Sequence, residues 1–393
     1  MATEGWLPVA SHGDERLVRF SAGRKDQGGR FSMARTDRGK TRREFLKVAA
    51  VYGGGIVSVQ APEGYPGAAI KPQDLRLKDL KGTLPQGTIG KLKISRVILG
   101  GNLIGGGAHS RDLAYAGPLM RAYHTDRKIF ETFELAERAS INTFLLATGQ
   151  MPLFNKYREL TSSKMQTICQ VFPSAQNLMT ETDKAIDFGV TTIYVNGACA
   201  AWFVKNGRID SLGKLLAHIK SQGFLAGVGA HSIEVPIQCE KAGLEPDYYM
   251  KTLHHDQYWS AQPRESRVEF SIDDYYAKVL RLNRERSAPP QGNRAEASAE
   301  AQLLADHNQW HDNMFDLFPE KTVEYMRSVK RPWIAFKVLA GGAIPPPDGF
   351  KFAFENGADF LCVGMLDFQI VEDVNIALDV LANVKSRPRP WCA

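Results

Sequence analysis

From about residue 85 the chain alternates short apolar runs with amphipathic stretches. Gly87-Thr88-Ile89 and Lys91-Leu92-Lys93-Ile94 flank Gly90 and predict a hairpin. Arg96–Leu99 then predicts an apolar strand running into Gly100-Gly101. Further strands are predicted at Ile141–Leu146, Gln166–Val171, Thr192–Val195, Leu225–Gly229, Tyr248–Leu253, Trp333–Val338 and Phe360–Val363. Helical periodicity covers Arg127–Ala139, Pro152–Leu160, Ala175–Phe188, Ser211–Gln222, Glu234–Ala242, Glu320–Val329, Gly349–Asn356 and Ile370–Val384. Eight strands, each continuously apolar and each followed by a helix after an irregular first connection, suit a parallel sheet buried on both faces. The pattern therefore predicts the α/β class: a (β/α)8 TIM barrel with an N-terminal β-hairpin and a long insertion after the sixth barrel strand. A doubly wound sheet would need a glycine-rich turn entering a helix directly, and the glycines of 100–107 are followed by no helical pattern.

Composition changes the picture mainly through charge. With 44% hydrophobic and 23% charged residues the chain is of ordinary globular type, which excludes wholesale disorder and fibrous classes. The formal net charge of +6 suggests an anionic partner until it is located. Residues 1–47 hold 11 Lys/Arg against 6 Asp/Glu, so +5 of the +6 lies there and +1 remains for the rest. Without a basic stripe in the body, no nucleic-acid partner is expected. Five scattered cysteines without a CxxC pair argue against a disulfide framework or zinc ribbon. No apolar run approaches the roughly 18 residues of a membrane span, so no stable span is expected.

The basic N-terminus reads as an address. Thr41-Arg42-Arg43-Glu44-Phe45-Leu46-Lys47 resembles a twin-arginine export signal. A weakly apolar stretch, 48–61, follows and ends in the small-x-small site Val59-Gln60-Ala61. This gives a leader and signal over 1–61, with translation starting at Met33 as an alternative, an extended lead-in over 62–84, and a barrel domain over 85–393. The low-complexity stretch 284–302 reads as a surface insertion in that domain. The expected location is periplasmic or extracellular, with the twin-arginine machinery as export partner.

Two stretches carry a family resemblance. The hairpin followed by Ser95-Arg96-Val97-Ile98-Leu99-Gly100-Gly101-Asn102 resembles the opening of aldo/keto reductases. Val363-Gly364-Met365, followed by Gln369-Ile370-Val371-Glu372-Asp373-Val374, resembles their last strand and helix. The resemblance implies a TIM barrel of that superfamily. It also implies a catalytic Asp, Tyr, Lys and His near strand ends, which this chain does not supply. Its second, third and fourth strands run into Leu146-Ala147-Thr148, Gln170-Val171 and Val195-Asn196. A nicotinamide cofactor, NAD(P), is thereby put in doubt, and Asp367 stands where a cofactor phosphate would want a cation.

Chemistry is expected at the C-terminal strand ends. Six of nine histidines fall there or in the excursion after the sixth strand: His109, His231, His254, His255, His307 and His311. The candidate catalytic residues are His254, His255, Lys337, His311 and Asp312, because imidazole titrates near neutrality and a lysine in an apolar strand must reach an acid or a pocket. For Lys337 the readings are a Schiff-base amine, an electrophile or a general base, against a plain ion pair with Asp367 or Glu372. Lys251 poses the same question and also fits the outer layer. Candidate substrate contacts are His109, Arg111, Asp112, Tyr258, Trp259, Trp310 and Asp367, a mixture of aromatic and polar groups that suits a polyhydroxylated small molecule. A divalent metal on His231, His254 and Asp256 is the alternative to metal-free chemistry. The expected activity is a lyase, epimerase or hydrolase acting on a small polar, carbohydrate-derived substrate. A reductase with tightly bound NAD(P) and a non-catalytic binding barrel are the competing readings.

Overall fold

The computed structural model describes residues 77–107, 113, 115–267 and 314–393. The expected export signal over 1–61, the first part of the lead-in, His109, Arg111, Asp112, His307, Trp310, His311, Asp312 and the stretch 284–302 lie outside the described residues.

β1 (Gln86–Ile89) and β2 (Leu92–Ser95) form an antiparallel hairpin. Eight parallel strands then close a barrel: β3 (Val97–Gly100), β4 (Thr143–Ala147), β5 (Gln166–Val171), β6 (Thr192–Val195), β7 (Ala226–Ala230), β8 (Tyr248–Thr252), β9 (Trp333–Phe336) and β10 (Phe360–Val363). β10 pairs with both β9 and β3, so the sheet has no edge. This is the α/β TIM barrel that the pattern predicts.

The continuous apolar strands follow from two burials. One set of side chains fills the barrel: Ile98, Leu145, Ile168, Tyr194, Tyr248, Met250, Ile334, Phe360 and Cys362. Ile89 and Ile94 of the hairpin join this set and plug the N-terminal end. Gly90 turns that hairpin at φ 56°, against Leu225 at the start of the β7 run. The alternate set, including Val97, Leu99, Phe144, Leu146, Val228, Tyr249, Trp333 and Leu361, packs under the helices. Trp333 is thus a core residue, and its indole N–H donates to the Lys251 carbonyl at 3.1 Å.

The helices cover this outer layer. α1 (Ala116–Tyr123) and α2 (Asp126–Arg138) follow β3, with Thr125 capping the Lys128 N–H at 3.3 Å. α3 (Met151–Thr161), α4 (Thr180–Asp187), α5 (Gly197–Lys205), α6 (Ile209–Ser221) and α7 (Glu234–Lys241) succeed the next four strands. α8 (Pro319–Met326), α9 (Pro346–Glu355) and α10 (Ile370–Asn383) complete the ring. α1 and α5 are absent from the pattern-based expectation. α5 is apolar all round, and its signal is the cap: the Asn196 side chain accepts the Ala198 and Cys199 N–H groups at 2.9 and 3.2 Å. α4 starts at Thr180, five residues after the expected Ala175. Ser174 and Asn177 lock a turn before it by exchanging hydrogen bonds. α9 starts earlier, on prolines whose fixed φ suits a first helical turn. No helix among the described residues is long and apolar enough to cross a membrane.

Candidate functional site

The ends of β7, β8 and β9 carry one cluster. His231 follows β7, and Lys251 and Thr252 end β8. Phe315 and Asp316 belong to the segment returning from the excursion, and Lys337 follows β9. Thr252 ties these loops together. Its Oγ1 accepts from Lys251 Nζ at 2.8 Å and lies 3.2 Å from the carbonyls of both His231 and Phe315.

Lys251 is an outer-layer residue, one of the two placements read for it. Its side chain is wholly buried and its ammonium donates to the Thr252 carbonyl at 2.9 Å and to Asp316 Oδ1 at 3.4 Å. Asp316 also accepts the Thr322 hydroxyl at 2.8 Å. Burial pushes the Asp316 carboxyl up, and Lys251 and Thr322 oppose that shift. Both donors reach Oδ1, while Oδ2 is buried without a hydrogen-bond partner, and the pair reads as structural.

Lys337 behaves differently. Strand alternation would send it to the outer layer with Ala335. Instead its backbone is left-handed, φ 57°, which few non-glycine residues adopt. The side chain crosses to the aromatic cluster, with Nζ 3.6 Å from the centroid of the Phe315 ring and shielded from solvent. His231 stands beside it, its ring 5.4 Å from that of Phe336 and 6.4 Å from that of Phe315. Burial, then the charges of Lys337 and Lys251, press the His231 imidazole down to about 3, so it is neutral at physiological pH. The ring abuts the start of α5: a Cβ on Gly197 would lie 3.0 Å from His231 Nδ1. A Cβ on Gly229 would meet the Gly197 N and Val195 O at 2.6 Å, so this corner closes only with glycine.

His254 is a structural residue, contrary to its expected catalytic and ligating roles. It is wholly buried, and both ring nitrogens are engaged by backbone. Nδ1 donates to the His255 carbonyl at 2.9 Å. Nε2 accepts the Phe315 and Asp316 N–H groups, each at 3.0 Å. Desolvation holds it near 4, neutral, as that double acceptor requires. His255 faces Phe352 and Tyr258, and its Nδ1 accepts the Gln257 N–H at 3.2 Å. Asp256 is gripped by Arg264 at 2.8 Å and Arg267 at 3.0 Å. His231, His254 and Asp256 therefore do not assemble as a ligand set, and no group of three such residues does so among the described residues. A lone pair of His254 already spent on two amides is the physical reason.

Three expected substrate contacts also fall elsewhere. Trp259 is 97% exposed, while the Tyr258 hydroxyl donates to Met314 sulfur at 3.2 Å. Asp367 is buried at the other side of the mouth, after β10. It accepts the Tyr123 hydroxyl on one oxygen and Lys128 Nζ on the other, the latter at 3.3 Å. Its partner is thus Lys128, not Lys337. Phe315, Tyr123, His124 and Lys128 were not singled out from sequence. The last three surround an N-cap threonine at the start of the first barrel helix, on the C-terminal side of the barrel, and that spacing was a usable signal.

No protein-family model matches the chain, and no curated protein does. Among solved structures, the chain is similar to a proposed aldo-keto reductase from Pseudomonas aeruginosa at 15% identity. The match covers 78% of this chain and 98% of that one, with a TM-score of 0.47. It is also similar to an N-acetylneuraminic acid synthetase from Leptospira borgpetersenii, at 11% identity, over 78% and 92% of the two chains, with a TM-score of 0.36. A third likeness is to the flavin-binding domain of baker's yeast flavocytochrome b2, at 10% identity, over 78% and 67%, with a TM-score of 0.37. The barrel assignment rests on the closed eight-strand sheet itself.

Proposed function

We propose that this barrel is an enzyme of lyase type, in which Lys337 forms an imine with the carbonyl carbon of a small polar, carbohydrate-derived substrate. The observation that supports this reading is the left-handed backbone of Lys337, which diverts an amine from the outer layer to an aromatic wall beside a neutral imidazole. Backbone strain of this kind costs about 1–3 kcal/mol and is retained where the surroundings impose it, commonly at functional sites.

The chemistry balances with these groups. The Lys337 amine adds to the carbonyl carbon, its two N–H protons leave with the carbonyl oxygen as water, and a proton from solvent completes the iminium. The bond between the adjacent carbon and its hydroxyl-bearing neighbour then breaks: its electron pair moves into the iminium to give an enamine, the hydroxyl proton passes to water, and that fragment departs as an aldehyde. The enamine carbon takes a proton from water, and a second water hydrolyses the imine to return the free amine and the carbonyl product. His231, held neutral at about 3, is too weak a base to take the proton. It serves as a neutral hydrogen-bond donor to the carbonyl or hydroxyl oxygen.

The test is reductive trapping. The protein is treated with sodium cyanoborohydride and dihydroxyacetone, and separately with pyruvate, then digested and weighed by mass spectrometry. The expected adduct lies on the peptide carrying Lys337 and is lost in Lys337→Met. Adducts spread evenly over surface lysines, or unchanged in that variant, sink the reading. The resemblance of Thr41–Lys47 to a twin-arginine motif, within the leader and signal read over 1–61, makes an extracytoplasmic location part of the proposal. Fractionation of cells carrying Arg42→Lys with Arg43→Lys tests it: the protein should remain inside.

A further inference from the structure

His124 is the most unusual polar residue of the described part. It ends α1, is 7% exposed, and neither ring nitrogen has a hydrogen-bond partner. A neutral imidazole carries one donor and one acceptor, and leaving both unmet in a buried place costs about 1–3 kcal/mol each. Such a group in a folded protein calls for an occupant.

Its surroundings narrow the occupant. The ring meets the Tyr123 ring edge-on, with centroids 5.2 Å apart and planes at 89°. Burial presses the His124 imidazole below its ordinary value, Asp367 opposes that shift and Lys128 adds to it. Lys128 bridges Asp367 at 3.3 Å and Glu131 at 3.0 Å, and Arg127 also meets Glu131 at 3.7 Å, so among the described residues two cations offset two carboxylates around the corner. Its lining consists of a carboxylate, an ammonium, a phenol and an imidazole, which together both donate and accept. The Lys128 side chain is 27% exposed and gives the corner a way out to solvent. It sits at the β10–β3 side of the mouth, one strand round from Lys337.

We propose that Tyr123, His124, Lys128 and Asp367 form a subsite for the hydroxyl groups of a polyol or sugar. A hydroxyl is the small neutral group that donates to one nitrogen or carboxylate oxygen while accepting from another. The subsite stands independently of the imine chemistry, because none of its residues takes part in that chemistry.

The experiment is a titration of the full-length protein, followed through the imidazole nitrogens of the 15N-labelled histidines. D-glucose, D-mannitol and glycerol are the probes, and dimethoxyethane, which has oxygens but no hydroxyl, is the control. The His124 nitrogens should shift saturably with at least one hydroxylated probe and not with the control. His124→Phe should weaken that binding by about tenfold or more, the loss of about one good hydrogen bond. His124→Gln, which keeps a donor and an acceptor, should retain most of it. Lys128→Met provides a second reading if the His124 variants do not fold. No saturable shift with any of the three polyols, or equal affinity in His124→Phe, overturns the proposal and leaves ordered water as the occupant. A failed reductive trap at Lys337 would leave this result untouched.

Discussion

His254→Phe isolates the structural role assigned to that histidine. The ring is kept in a wholly buried position, but the acceptor for two backbone N–H groups and the donor to the His255 carbonyl are lost. Three groups are orphaned, and each costs about 1–3 kcal/mol, so the variant should be less stable by at least about 3 kcal/mol near neutral pH. The loss also has a pH signature. His254 titrates near 4 in the fold against 6.5 unexposed to it, so the unfolded chain takes up the proton first as pH falls. The stability tied to the neutral ring is present above 6.5 and is lost as pH falls toward 4. By about pH 5 the wild type has lost about 2 kcal/mol that the phenylalanine variant does not lose. His231, pressed to about 3, adds the same slope to both proteins and cancels in the difference. Urea unfolding followed by tryptophan fluorescence, at about pH 7.5 and about pH 5, measures both quantities. A gap below about 0.5 kcal/mol near neutrality, or one that does not narrow in acid, would refute the assignment.

Three further outcomes follow from the packing. Gly229→Ala places a methyl 2.6 Å from two backbone atoms and should cost about 1–3 kcal/mol, whereas Gly149→Ala, with nothing within 4 Å, should leave the melting temperature unchanged. Lys251→Met leaves the Asp316 carboxylate buried without its cation and should cost about 3–5 kcal/mol in chemical unfolding, while Lys251→Met with Asp316→Leu recovers most of it. Asp359→Asn removes the carboxylate that accepts the Trp333 and Cys392 N–H groups, both at 2.9 Å, and faces Arg387 and Arg389. Limited proteolysis should then clip the chain after about residue 384 much faster than in the wild type.

The barrel was legible because its signal is repeated. Each strand is buried on both faces and therefore apolar throughout, and each intervening helix adds the 3.6-residue period. α5 was missed because it lies in the same apolar run of Ala, Cys, Trp, Phe and Val that marks a strand, and only Asn196 announces it. The site was legible in part. Sequence pointed to the C-terminal strand ends and to Lys337, His231 and Asp367, but not to which of them meet. The pairing of Asp367 with Tyr123 and Lys128 depends on how the first helix docks against the last loop, 239 residues apart for Lys128, and no local pattern encodes that.

Lys251 and Lys337 show what decides between two residues that look alike in sequence. Both are lysines near the end of an apolar strand, and the strands are neighbours in register, with Lys251 opposite Ala335. Lys251 obeys alternation. It stays under the helices, and the cost of burying its charge is met by Asp316 and Thr252. Lys337 is the second residue after that register position and would repeat the arrangement if β9 continued. β9 ends at Phe336, and the left-handed φ at Lys337 breaks the alternation. A 3-10 turn then runs over Ala340–Gly342 through two glycines at positive φ. Lys337→Gly relieves that strain but removes the amine. If the strained backbone exists to place the amine, this variant should fold at least as firmly as Lys337→Met yet trap no carbonyl. If the loop imposes the conformation for its own packing, Lys337→Asn, which also tolerates the left-handed region, should trap as little and be as stable as the glycine variant. A Lys337→Met protein that unfolds no more readily than wild type would place the strain in the loop's own geometry, and the reductive trap alone would then carry the case for chemistry.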